Sequence, residues 1–375
     1  MKKVYLDNAS TTELYPEVIT EMTRILSTQY GNPSSSHQIG REAKNELELA
    51  RKIIAKNLKC NAQEIIFTSC ATEANNLILR SAIKTLGVKR IITTKIEHHA
   101  VLHTVKVLQK EMEIQVDFVS INPDGTINYS HLEDLLRYDI KTLISLMHVN
   151  NEIGTVLDLK KVADLAKKNN AYFHTDAVQG IGKTVVDLST ISIDFLVASA
   201  HKFHGPKGVG FLFIKKNIVL EPLFYGGEQE KGLRAGTESI HNIVGMAKAL
   251  EISLTNLETN KEYIKGLKDY LIKQFQNHFS ESIFVGNPEL TQHNIVNIIL
   301  PLDENKSGMI VFLMDMNGIA ISRGSACQSG SSKPSHVLEA FISNDHLRRP
   351  NIRISFSKYN TLEDIDCLIE AIKKI

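Results

Sequence analysis

Cysteine is scarce in this sequence, and what there is does not form pairs. Four cysteines stand in 375 residues, at Cys60, Cys70, Cys327 and Cys367. None belongs to a C-x-x-C pair, and the spacings fit neither a zinc or other metal site nor a disulfide scaffold. A reducing compartment, with the cytoplasm as default, is therefore the expected setting. Charge of one sign is lacking as well: 43 Lys plus Arg stand against 42 Asp plus Glu. That balance argues against a generic nucleic-acid or membrane-surface binder. No apolar run approaches the roughly 20 residues of a spanning helix. The N-terminal "MKKVYLDNAS" has two lysines but no apolar stretch behind them, so it does not read as a secretory signal. Repeats, low-complexity segments and Pro/Gly/Ser-rich linkers are absent too. What remains is a chain 43% hydrophobic, with the expected composition of a soluble globular protein and enough length for two tightly packed parts.

The apolar runs are short and β-branched, and they alternate with helical patterns. "EIIFTS" (64–69), "RIITT" (90–94), "TLISLMHV" (142–149), "AYFHTD" (171–176), "DFLVASA" (194–200) and "GVGFLFI" (208–214) read as buried strands. Amphipathic stretches such as 98–111 and 158–169 lie between several of them, which predicts a mainly parallel sheet covered on both faces. "NPDGTIN" (122–128) carries a D-G turn signal. From about Glu238 to Asn277 the pattern is helical, as one long helix or two, and bridges to a second part. There "NIVNIILP", "GIAISRGSAC" and "NIRISFS" read as short strands and "TLEDIDCLIEAIKKI" as a closing amphipathic helix.

Several strand ends carry polar groups. In "SAHKFHGPKGVG" (199–210), Lys202 follows a strand and precedes a glycine-rich turn; a partly desolvated lysine there can form a Schiff base. "HTDAVQG" (174–180) puts Asp176 at a strand end, where open α/β sheets bind ligands. It suits the acidic partner that a pyridinium nitrogen needs, with Gln179 close enough in sequence to reach a phenolic oxygen. "FTSCATEANN" (67–76) reads as strand, turn and helix start, with the Ala71 and Thr72 amides and the Thr72 hydroxyl suited to a phosphate. His98, in "KIEHHAVLH", can stack on an aromatic cofactor and relay protons. "MHVNNEIG" adds Asn150 and Asn151 after another strand. Finally, "SRGSACQSGSSKPS" (322–335) surrounds the single thiol of Cys327 with small residues, so that it reads as presented rather than packed.

Taken together and in this order, these stretches resemble the class V aminotransferase branch of fold-type I pyridoxal phosphate (PLP) enzymes, and within it the cysteine desulfurases of the nitrogen-fixation and iron–sulfur assembly type. The matching segments run almost end to end: "YLDNAST", "GNPSSSHQIGREA", "IIFTSCATEANN", "EHHAV", "MHVNNEIG", "HTDAVQ", "SAHKFHGPKG", "LRAGTESI", "GSACQSG" and "NIRISFS". The resemblance implies an α/β fold with a large PLP-binding domain (15–258), built on a mainly parallel seven-stranded sheet between helices. Residues 1–14 with 259–375 would form a smaller α+β domain carrying the cysteine loop.

Residue by residue, it implies that Lys202 holds PLP, that Asp176 faces the ring nitrogen and that Gln179 faces the phenolic oxygen. His98 would stack on the ring and move protons, with Asn151 beside it. Ala71, Thr72, Ser199 and His201 would form the phosphate site, and Thr237 would reach the phosphate of the neighbouring subunit in a homodimer. Arg353 and Asn32 would hold the substrate carboxylate, for which the planar guanidinium fork is suited. Cys327 would take the sulfur of L-cysteine as a persulfide, leave L-alanine, and pass the sulfur to an acceptor protein, either an iron–sulfur scaffold or a tRNA-thiolation enzyme. A selenocysteine lyase or another class V aminotransferase is the alternative within the branch, and the "GSAC" thiol favours the desulfurase. A non-catalytic relative would have lost Lys202 or Asp176, and both are present. The chain departs from the family pattern at Cys70, where Gly is usual, at Lys231, where Arg is common, and at Arg323, where a small residue is common. Housekeeping relatives also extend past the last helix with a tail that helps dock the scaffold.

Overall fold

The computed structural model describes residues 3–324 and 335–375. Cys327 lies outside the described residues.

The expected sheet is present. Seven strands, β2 (Ile65–Thr68), β3 (Arg90–Thr94), β4 (Gln115–Val119), β5 (Thr142–Ser145), β6 (Tyr172–Asp176), β7 (Phe195–Ser199) and β8 (Gly210–Ile214), pair in the order β2-β8-β7-β6-β5-β3-β4. All pairs are parallel except the two that β8 makes. Five of these strands are buried along their whole length, as a sheet covered on both faces requires. The edge strand β4 is half-exposed; its mixed "QVDFV" lacks the continuous apolar run that marks the others. The run expected over 142–149 leaves the ladder after Ser145, although its backbone still tracks β6: His148 N donates to Asp176 O at 2.9 Å.

Helices flank the sheet. The first four are α1 (Pro16–Thr28), α2 (Gln38–Leu58), α3 (Ala71–Lys84) and α4 (His99–Met112). They are followed by α5 (Tyr129–Leu135), α6 (Leu159–Lys168) and α7 (Ile240–Thr255). The apolar stripes of α2 and α7 pack into one core with Phe67, Phe173 and Phe211. On the other face, α3 and α4 bury Leu77, Ile78, Val101 and Val105 against Ile91 and Val197. The long helical pattern after Glu238 is two helices: α7 ends at Thr255 and α8 (Leu257–His278) begins beyond Asn256, whose backbone (φ −103°, ψ 16°) departs from the helix.

Three short helices, α9 (Ile310–Met316), α10 (His336–Glu339) and α11 (Asn344–Arg348), follow α8, and a separate core lies under α8 and α12 (Leu362–Lys373). It gathers Leu267, Leu271 and Phe275 with Ile298, Ile352, Ile354, Leu368 and Ile372. Its sheet is the antiparallel trio β9 (Ile283–Phe284), β10 (Ile295–Ile299) and β12 (Asn351–Ser355) in the order β12-β10-β9. Beside it β1 (Val4–Tyr5) pairs with β11 (Ile319–Ala320), so the first residues of the chain pack with the last hundred. The closing helix α12 starts on a capping box, Thr361 with Asp364, which satisfies two otherwise orphaned amides. Among the described residues, no helix is long and apolar enough to cross a membrane.

Candidate active site

The parallel strands all end at one edge of the sheet, and the polar groups gather there. Because β8 runs the opposite way, its first residue Gly210 lies opposite the last residues of both β2 (Thr68) and β7 (Ser199). A side chain at 210 would press on Ala198 O, 2.5 Å from a Cβ built there, so glycine keeps this corner open. The result is a cavity of about 250 Å³ between the two cores. Its lining includes Ala71, Thr72, His98, Asn151, Asp176, Gln179, Ser199, His201, Lys202 and Arg353. Ten of the residues singled out from sequence thus share one space. Asn32 and Thr237 are both exposed and do not line it.

Lys202 follows β7 in a short 3-10 turn. Its Nζ donates to the carbonyls of Ala9 (2.7 Å) and Ser10 (2.6 Å), so the N-terminal segment holds the amine at the cavity. Ala9 O also accepts from Gln179 Nε2 at 2.8 Å. Asp176 is buried, and its two carboxylate oxygens have distinct partners. Oδ1 accepts from Val178 N at 3.2 Å, and Oδ2 accepts from Asn75 Nδ2 at 2.8 Å. Asn75, fully buried in the second turn of α3, is a residue that sequence reasoning passed over. It lies four residues after Ala71, on the same helix face.

His98 caps α4: its Nδ1 accepts from Ala100 N at 3.1 Å. Burial pushes its pKa down against the pull of Asp176, with Lys202 adding to the depression, so the ring is neutral at pH 7. With Nδ1 occupied as an acceptor, the ring proton sits on Nε2. His201 is driven lower, to about 3, by burial and by Lys202. Its Nδ1 lies 3.3 Å from Thr11 Oγ1.

Arg353, on β12, is nearly fully buried. Its Nη1 donates to Asn151 O (2.8 Å), and its Nη2 to Asp7 Oδ1 (2.7 Å) and Ser10 Oγ (2.6 Å). Asp7 and Ser10 belong to the quoted "YLDNAST", whose role only the packed structure reveals. The guanidinium thus ties the two cores together and presents its fork at the cavity.

PLP needs an anion site, an amine, a carboxylate for its ring nitrogen and a donor for its phenolic oxygen. The cavity offers all four. At the anion end, the N-cap residue Cys70 makes no side-chain capping bond to α3, so the first amides of a 14-residue helix face the space beside Thr72. The residues present fit this cofactor. Cys70 sits at φ −173°, extended backbone that any residue adopts, which explains why a side chain is accommodated where Gly is usual. The loop carrying Thr237 is pinned close by: Arg234 Nε donates to Glu73 Oε1 on α3 at 3.0 Å. The buried Arg51–Glu230 pair (2.7 and 2.8 Å) fixes the start of that loop to β2, with Glu230 also accepting from Phe67 N. Lys231, the second departure, donates to Gln63 O. Among the described residues, no group of three or more His, Cys, Asp or Glu is placed to hold a metal ion.

A model of the aminotransferase class-V family matches residues 4–368. A cysteine desulfurase IscS of Dictyoglomus turgidum is 40% identical over 377 residues, covering 100% of this chain and 94% of that protein. A solved structure of a NifS-like protein superposes with a TM-score of 0.92 at 36% identity, covering 100% of this chain and 99% of its own. A structure described as SspA in complex with cysteine gives 0.82 at 31% identity, covering 96% and 100%.

Proposed function

The chain belongs to the class-V aminotransferase family and is a PLP-dependent cysteine desulfurase, and from that premise we propose how its residues divide the work. The observation that carries the assignment is the single cavity in which Lys202, Asp176, His98 and Arg353 converge at the sheet edge. Lys202 Nζ holds the cofactor, and Asp176 faces its ring nitrogen, kept in place by Asn75. Gln179 reaches the phenolic oxygen. Ala71, Thr72, Ser199 and His201 hold the phosphate. Bound there, PLP supplies an electron sink that loosens the bonds around the substrate's α-carbon.

The substrate is L-cysteine. Arg353 grips its carboxylate, with Asn151 alongside and Asn32 contributing from the rim. Lys202 Nζ and His98 Nε2 move the protons. Cys327 Sγ then forms a bond to the substrate's sulfur as the Cβ–S bond breaks, which leaves L-alanine and a persulfide on Cys327. A Ser/Gly-rich surround suits a thiol that must reach the cavity and then present its sulfur to an acceptor protein. The acceptor is an iron–sulfur scaffold or a tRNA-thiolation enzyme. The setting is cytoplasmic, in keeping with the free thiols of Cys60, Cys70 and Cys367.

The enzyme works as a homodimer, each Thr237 completing the partner's phosphate site. Its exposure, and its place outside its own chain's cavity, support that reading. Residues 15–258 act as the PLP-binding domain and residues 1–14 with 259–375 as the smaller one, a division supported by the separate core under α8 and α12.

The test is alanine release from L-cysteine by the holoenzyme, with sulfide release once dithiothreitol is added to reduce the Cys327 persulfide. The native protein releases both. Lys202→Ala loses the cofactor's visible absorbance and all turnover. Cys327→Ser keeps the absorbance and loses alanine release. Wild-type turnover by Lys202→Ala contradicts the assignment.

A further inference from the structure

Behind the wall that carries His98 lies a second cavity of about 280 Å³, as large as the first. Met147 lines both. Ile96, Ile127, Leu146 and Leu157 line the second cavity together with the ring of Tyr129, alongside polar residues such as Asn122 and Thr126. A hydrophobic space with a few convergent polar groups is the usual form of a small-molecule site.

Two polar groups here have no hydrogen-bond partner among the described residues: Glu97 Oε2 and Thr155 Oγ1. Both residues are buried and line the cavity, Glu97 at 1% exposure. The other carboxylate oxygen of Glu97 is used, accepting from Met147 N (2.9 Å) and Thr94 Oγ1 (3.2 Å). An orphaned oxygen on a buried carboxyl costs on the order of 1–3 kcal/mol unless something meets it. The lining contains two carboxyls, Glu97 and Asp158, and no Lys, Arg or His. Lys161 Nζ, 4.2 Å from the centre of the Tyr129 ring, does not line the space.

We propose that this cavity is a binding site for a small apolar amine, with the ammonium on Glu97 Oε2 and Thr155 Oγ1 and the hydrocarbon against the aliphatic wall. At ~30 Å³ per water-sized group, the volume admits a molecule of about ten non-hydrogen atoms. The site is separate from the desulfurase reading and does not depend on it. Its occupant would nonetheless bear on the cofactor cavity, through Met147 and through the Glu97–His98 peptide. Glu97 O also accepts from His336 Nε2 at 2.9 Å, beyond the segment that carries Cys327.

Burial, and secondarily the nearby Asp176, push the Glu97 pKa up to about 8, so the carboxyl is mostly protonated at pH 7. Asp158 and Tyr129 line the cavity with it, and His336 meets its backbone. An ammonium reverses the preference, and the proton leaves for the buffer. Amine binding at pH 7 therefore releases protons.

The probe is N,N-dimethylbenzylamine, a tertiary amine that cannot form an imine with an aldehyde. It is titrated calorimetrically into the holoenzyme at pH 7, in two buffers of different ionisation enthalpy. The expected result is one saturable site with net proton release. Glu97→Gln abolishes the release and weakens binding at least about tenfold. Leu290→Trp, at the half-exposed rim of the cavity, blocks binding without touching the active site. Binding unchanged in Glu97→Gln, binding without proton release, or no saturation up to about 10 mM overturns the proposal. So does a crystal grown with the probe that shows ordered water only.

Discussion

Asn75 is the most informative single change, because its side chain holds Asp176 at the wall of the cofactor cavity. Its Nδ2 lies 2.8 Å from Asp176 Oδ2, and the residue is fully buried. Asn75→Ala removes a hydrogen bond to a charged group and leaves that oxygen without its donor. Bonds of this kind contribute about 1.5–3 kcal/mol. If Asp176 anchors the cofactor's ring nitrogen, most of that loss falls on the cofactor complex. At 1.36 kcal/mol per tenfold, PLP affinity and the rate of alanine formation together fall roughly 10- to 100-fold. The assay is PLP retention on dialysis, followed by alanine release at saturating cysteine with PLP restored. Asn75→Gln, which keeps the amide but misplaces it, recovers only part of the loss. A variant that melts a few degrees lower yet holds PLP and turns over normally would refute the reasoning, since it would make Asn75 merely structural.

Arg353→Lys replaces a planar fork with a point charge; the KM for cysteine rises about 10-fold or more while the PLP absorbance is unchanged, and an unaltered KM counts against the carboxylate role. Glu230→Gln removes the buried anion from the Arg51 guanidinium and leaves it only the half-exposed Glu48, 3.2 Å away, which costs up to about 3–5 kcal/mol; chemical denaturation should show it, and a loss under about 1 kcal/mol contradicts the burial argument. Acid sensitivity follows from two buried histidines, His148 with its pKa lowered to about 4 and His174 to about 3, both by burial. Their folded values lie below the unfolded ~6.5, so their contribution is complete above that pH and is lost as pH falls towards 4 and 3, by up to about 1.4 kcal/mol per unit for each. Melting temperature should therefore drop steadily from pH 7 to pH 5, and a flat profile refutes the assignment.

The buried strands were legible because their apolar, β-branched runs leave no other reading: "RIITT" is β3 to the residue. The half-exposed β4 was not, since an edge strand needs no continuous apolar run. The run reaches past the end of β5 because Leu146, Met147 and Val149 are as apolar as any strand residue, yet they line the two cavities. Strand-end polar groups could be named one by one because parallel strands must end together. What the linear pattern hid were partners distant in the chain: Asp7 and Ser10 on Arg353, Ala9 O on Lys202, and Asn75 on Asp176. Asn75 carried a usable signal, its place one helical turn beyond the proposed phosphate site. Glu97 carried none: it is buried at the wall of the second cavity, and in sequence it reads as an ordinary charge beside a histidine.

The central claim is that sulfur leaves cysteine for Cys327, and one measurement bears on it directly. Holoenzyme is given one equivalent of L-cysteine, quenched with a thiol-blocking reagent, digested and analysed by mass spectrometry. The account predicts one added sulfur atom on the peptide containing Cys327, and none on the peptides of Cys60, Cys70 or Cys367. Added sulfur on another cysteine, with Cys327 unmodified while alanine is formed, would contradict it.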